Sequence, residues 1–189
     1  MGVQREAMRA RDNPLRSGKL AELRYLLPET EKVALLERAA LRPGFSALVG
    51  PHGTGKTVLL EDLHELARHT GIATGWAGFN RASTAREIRE SIRHARGGDP
   101  SLIVVDGGES LGAAGLLKLR TRLRGFPVVT TLARPRAGFA TLFRTTVDPE
   151  AFVSLAHRLL GRQTPPAERL RALLARHRGN MREAFLDLY

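Results

Sequence analysis

Two hydrophobic periods alternate along the chain. Residues 45–49 (Phe-Ser-Ala-Leu-Val) and 101–105 (Ser-Leu-Ile-Val-Val) are short apolar runs of strand length, whereas Val58, Leu59, Leu63 and Leu66 mark one face of a helix over 57–69. The alternation continues with a strand over 72–79, a polar helix over 84–96, the loop Gly97-Gly98-Asp99-Pro100, a helix over 113–123 and strands over 126–132 and 141–147. Upstream, Val33, Leu35, Leu36, Ala39 and Ala40 repeat at helical spacing over 29–41 until Pro43-Gly44, and Leu20, Leu23, Leu26 and Leu27 suggest a short amphipathic turn. The run 101–105 is that of a strand covered on both faces. Strands separated by helices predict an α/β fold, a parallel sheet with helices on both faces. After Asp148-Pro149 the pattern is wholly helical over 149–160, 166–175 and 181–188, which predicts a small C-terminal helical lid. The expected organisation is an arm and lead-in helix over 1–42, a core over 43–148 and the lid over 149–189, with the first 17 residues polar, arginine-rich and aperiodic.

Composition narrows the function classes. With 189 residues, 42% of them hydrophobic, the chain can bury a core of one α/β domain plus an appendage. It has no cysteine, which excludes disulfides and thiolate metal sites and fits a reducing, cytoplasmic setting. No apolar run reaches membrane length, so no membrane partner is expected; the first residues lack a secretory h-region, and the sixth position lacks the Ser or Thr of a myristoylation signal. A net charge of +11 favours an anionic partner such as DNA or acidic lipid. Lysine occurs only at positions 19, 32, 56 and 118, however, and this arginine bias is also what a GC-rich genome yields.

The sharpest signal is Gly50-Pro51-His52-Gly53-Thr54-Gly55-Lys56-Thr57, a full match to G-x-x-x-x-G-K-[ST] set between a predicted strand and a predicted helix. Roughly four chance matches per thousand chains of this composition are expected before the flanks are required. Glycines at 50, 53 and 55 let backbone N–H groups approach phosphate oxygens, and the helix beginning there offers its positive end. The nucleotide-binding segment is therefore Gly50 to Thr57 together with Val58, His52 filling a variable position with no role of its own. Lys56 supplies charge to the β- and γ-phosphates and Thr57 a hydroxyl to Mg²⁺. A carboxylate should end a neighbouring buried strand, and Asp106 after Leu-Ile-Val-Val does so, as a second metal-site residue. The next acid is Glu109, beyond Gly107-Gly108, and it reads either as the base that activates water or as a first-turn helix acid.

The strings GPHGTGKT and LIVVDGGES, with the polar-ended strand Val128-Val129-Thr130-Thr131, resemble the AAA+ and related ASCE ATPases over about residues 45–189. The resemblance implies ATP rather than GTP as the cofactor, with Mg²⁺. It also implies that 128–131 is a sensor strand lying between the two Walker strands, with Thr130 or Thr131, the latter chosen here, near the γ-phosphate. It further implies that Arg182, in Gly179-Asn-Met-Arg182, reaches back to the nucleotide from the lid. Arg134, Arg136 or Arg144 match places where the family puts an arginine finger, and no motif selects among them. The Asp-Gly-Gly-Glu spacing departs from the family's adjacent Asp-Glu pair, which bears on turnover more than on binding.

Three functions follow from these residues. The first is a Mg-dependent ATPase acting as a nucleotide-controlled switch or assembly factor, with a protein partner or further copies of itself. The second is a small-molecule kinase with an arginine-rich lid over 134–144. The third is a nucleic-acid-binding module, on DNA, holding ATP as a structural ligand.

Overall fold

The computed structural model describes residues 24–41 and 43–188; the predicted arm and the Leu20 and Leu23 part of the predicted turn lie outside the described residues. The described residues form two compact units, Arg24–Thr146 and 147–188.

In the larger unit the order is α1 (Glu29–Ala40), β1 (Gly44–Val49), α2 (Lys56–His69), β2 (Thr74–Gly78), α3 (Ala85–Ala95), β3 (Leu102–Asp106), a 3₁₀ turn (Gly108–Leu111), α4 (Gly112–Arg122), β4 (Pro127–Leu132) and β5 (Ala140–Arg144). The five strands form one sheet in the order β2-β3-β4-β1-β5, and every pair is parallel. Because side chains alternate across a strand, β3 serves two cores. Ile103 and Val105 pack with Ile92 and Ala95 of α3 and with Leu116 and Leu119 of α4. Leu102 and Val104 pack with Leu35 and Leu36 of α1 and with Leu59, Leu60 and Leu63 of α2. Helices thus cover both faces, as the unbroken aliphatic run of β3 requires.

Local chemistry sets the ends. Helix α3 starts at a capping box in which Thr84 Oγ1 accepts from the Glu87 N–H (3.3 Å) and Glu87 accepts from the Thr84 N–H (2.7 Å). The Thr84 backbone N–H, then its hydroxyl, hold the Glu87 carboxyl below its ordinary range. Thr84→Ala is expected to lower stability by about 1 kcal/mol, read as a shift of the denaturant midpoint at unchanged slope. Strand β2 begins two residues later than predicted because the Ile72 N–H donates to the Ala67 carbonyl (2.8 Å) and belongs to the end of α2. The lead-in is tied to α2 by Asp62, a buried carboxylate that accepts from Arg24 Nη1 (3.1 Å), the Tyr25 N–H (3.0 Å) and Lys32 Nζ.

The smaller unit contains α5 (Pro149–Leu160), a 3₁₀ turn (Gly161–Gln163), α6 (Ala167–Arg176) and α7 (Met181–Asp187). They enclose Phe152, Leu170, Leu174 and Phe185, the two aromatic rings lying 4.6 Å apart between centroids. Asp148 caps α5 by accepting from the Glu150 N–H (2.9 Å), and Asn180 caps α7 by accepting from the Glu183 N–H (3.3 Å). Among the described residues no helix is long and apolar enough to cross a membrane.

Candidate functional site

Strand β1 delivers the chain into residues 50–55, which curl before α2 begins at Lys56. Gly53 and Gly55 sit at φ 76° and 81°, where a β-carbon is strained. Gly50 is required for a different reason: a β-carbon there would overlap Thr145, just beyond β5. The Thr145 hydroxyl shares a 2.6 Å hydrogen bond with Thr54, which also donates to the Pro51 carbonyl (2.9 Å). Lys56 is buried, and its ammonium donates to the carbonyls of Gly50 (2.9 Å) and Pro51 (2.8 Å). The ammonium therefore lies inside the curl.

The register places Asp106 at the end of β3, and the Thr57 hydroxyl donates to its Oδ1 at 3.1 Å across a sequence separation of 49 residues. From the neighbouring strand β4, the Thr131 hydroxyl accepts from the Gly107 N–H (3.0 Å) and donates to the same Asp106 oxygen (3.3 Å). Thr130 instead donates to the Val105 carbonyl (2.9 Å), so the two threonines serve different ends, and only Thr131 faces the carboxylate. Thr131→Val should expose this difference: it removes a hydroxyl that both accepts and donates in a buried setting, at about 1–3 kcal/mol in unfolding free energy.

Beyond Asp106 the two glycines steer the chain. Gly107 adopts φ 76°, and a β-carbon on it would overlap the Phe79 carbonyl oxygen; one on Gly108 would overlap the Thr130 hydroxyl. With neither side chain in the way, the 3₁₀ turn brings Glu109 back toward the loop. One Glu109 oxygen lies 3.3 Å from His52 Nδ1 and the other 3.4 Å from Lys56 Nζ. The second is buried and has no hydrogen-bond partner among the described residues, so its Lys56 contact is electrostatic only. Glu109 lies in the first turn after Gly107, and its carboxylate faces the Lys56 ammonium.

Charge and donor type fit a divalent cation beside Thr57 and Asp106. Burial, and then the negative charge of Asp106 and Asp62, hold the Glu61 carboxyl above its ordinary range, one helical turn from Thr57. A hydroxyl and a carboxylate in mutual contact are hard oxygen ligands of the kind magnesium takes.

His52 is exposed, with its Nδ1 3.3 Å from a Glu109 oxygen. Val58 lies in the first turn of α2. Arg134 and Arg136 are exposed in the loop after β4, and Arg144 is exposed at the end of β5. Arg182 is exposed in the first turn of α7, in the smaller unit. Sequence reasoning missed Thr145, which buttresses the loop, and Tyr25, whose ring would lie 3.0 Å from a β-carbon on Gly55. Neither carries a motif; both reach the loop through tertiary packing alone.

No family model matches the sequence, and no curated protein does. Among solved structures, a DNA replication initiation factor is similar over 87% of this chain and 61% of its own, with TM-score 0.55 and 13% identity. NtrX from Brucella abortus is similar over 89% of this chain and 51% of its own, with TM-score 0.54 and 14% identity. The chain thus spans between half and two thirds of the length of these two structures. With β4 lying between β1 and β3 and the glycine-rich loop joining β1 to α2, the chain has the fold of the P-loop ATPases of the AAA+ and wider ASCE group.

Proposed function

We propose that the chain binds ATP with magnesium and hydrolyses it, acting as a nucleotide-controlled switch or assembly factor. The observation that carries this reading is the 3.1 Å hydrogen bond between Thr57 and Asp106, which unites the loop and the carboxylate strand in one oxygen-rich corner beside the buried Lys56 ammonium.

In this reading the loop 50–58 surrounds the phosphates with its backbone N–H groups from His52 onward, and the Lys56 ammonium turns from the Gly50 and Pro51 carbonyls to the β- and γ-phosphate oxygens. Thr57 and Asp106 hold magnesium, which when bound supplies neutralising charge to the phosphate oxygens. Glu109, with an unsatisfied oxygen facing the same ammonium, orients the attacking water and takes its proton. Thr131 fixes the carboxylate of Asp106 through its own hydrogen bond. Residues 43–148 act as the core and 149–189 as a helical appendage; an arginine among 134, 136 and 144 serves a neighbouring protein or copy. The setting is cytoplasmic.

The test is phosphate release from Mg-ATP in water alone, with molecular mass in solution followed in parallel. Release without any added acceptor, abolished by chelating magnesium, is expected. ADP formation only when a small-molecule acceptor is supplied would replace this reading with a kinase.

A further inference from the structure

Arg86, Arg89 and Arg93 on α3 and Arg96 at its C-cap follow one another at spacings of three, four and three residues, which aligns them along one side of the helix. All four are exposed, while Ile92 and Ala95 from the same helix are buried in the sheet core. Structural roles account for only two of the charges. Arg86 Nε pairs with Glu90 at 2.8 Å, and the Arg96 guanidinium lies over the Phe126 ring, 5.5 Å from its centroid. Arg89 and Arg93 have no carboxylate within ion-pairing distance among the described residues.

The basic charge is also unevenly spread. Residues 79–126, which supply α3 and α4, hold nine Lys and Arg against five Asp and Glu. Residues 24–41 and 56–71, which supply α1 and α2 on the other face of the sheet, hold five against six. Genome-wide arginine bias raises the number of arginines everywhere and does not by itself segregate charge between the two faces of one sheet. At about 1.5 Å of helix rise per residue the arginine row spans roughly 15 Å, a length of B-form duplex axis over which each strand carries about four phosphates, one per ~3.4 Å.

We propose that the exposed side of α3 is a nucleic-acid-binding surface on which Arg89 and Arg93 contact backbone phosphates, flanked by Arg86 and Arg96. Phosphate contacts of this kind carry no sequence information, so the surface binds without sequence preference and binding weakens steeply with salt. The surface is independent of the nucleotide site, and Arg89 and Arg93 leave the Mg-ATP response untouched.

The experiment titrates the full chain against a fluorescent mixed-sequence oligonucleotide, as single strand and as duplex, over a salt series. It compares the parent with Arg89→Gln/Arg93→Gln, Arg89→Glu/Arg93→Glu and a charge-matched control, Arg158→Glu/Arg169→Glu, at exposed positions of the smaller unit. The glutamine pair is expected to reduce the slope of log affinity against log salt by about 1.4 on single strand or about 1.8 on duplex. The glutamate pair should lose at least about tenfold in affinity at low salt, while the control stays within about twofold of the parent. Equal losses in the α3 variants and the control would overturn the proposal, because net charge alone would then explain binding. It would be overturned equally by a parent that binds neither oligonucleotide at low salt, or that binds phosphatidylserine vesicles and not nucleic acid.

Discussion

Lys56→Ala is expected to remove most of the stabilisation that Mg-ATP is expected to give the parent. A ligand that binds only the folded chain adds about 2.7 kcal/mol at a hundredfold excess over its dissociation constant. Most of that gain is expected to depend on the Lys56 ammonium. Lys56 is also a structural donor to Gly50 and Pro51, and its loss leaves Glu109 without the ammonium that its carboxylate faces. The variant's own melting temperature is therefore expected to change as well. The informative quantity is the shift that nucleotide produces within each protein, measured by thermal denaturation with and without Mg-ATP. A variant that keeps the parent's shift would mean that the phosphates lie elsewhere.

Glu109→Gln is expected to leave Mg-ATP binding near the parent level and to lower the rate of phosphate release by about 10²–10⁴-fold, the usual range for a positioned general base. The substitution keeps the shape of the side chain and the glycine path that delivers it, and it removes only the charge and the basic oxygen. Binding is preserved because Lys56, Thr57 and Asp106 are untouched, so nucleotide-dependent stabilisation and turnover separate in one variant. Release at the parent rate would remove Glu109 from the reaction and return it to the role of a first-turn acid facing Lys56.

The parts legible in the sequence were those set by local patterns. The apolar run 102–105 forms a strand buried on both faces, and the eight-residue glycine-rich string lies between β1 and α2. The polar helix expected over 84–96 is α3, with Thr84 as its N-cap. The illegible parts depend on long-range proximity. Thr145 supports the loop from 91 residues beyond Thr54, and Asp62 gathers Arg24, Tyr25 and Lys32 from the lead-in. The reach of Glu109 was open because two glycines permit many backbone paths; Phe79 and Thr130, packed against them, select one. The 3₁₀ turn over Gly108–Leu111 was unforeseen for the same reason.

In the proposed function the loop from Gly50 to Thr57, together with Asp106, holds a magnesium-bound polyphosphate. Calorimetric titration of the parent chain with ATP, in magnesium and in chelator, tests it most directly. One ATP per chain, bound more tightly with magnesium and with that enhancement lost in Asp106→Ala, is the predicted result. No binding at millimolar ATP, or binding indifferent to both magnesium and Asp106, would contradict it.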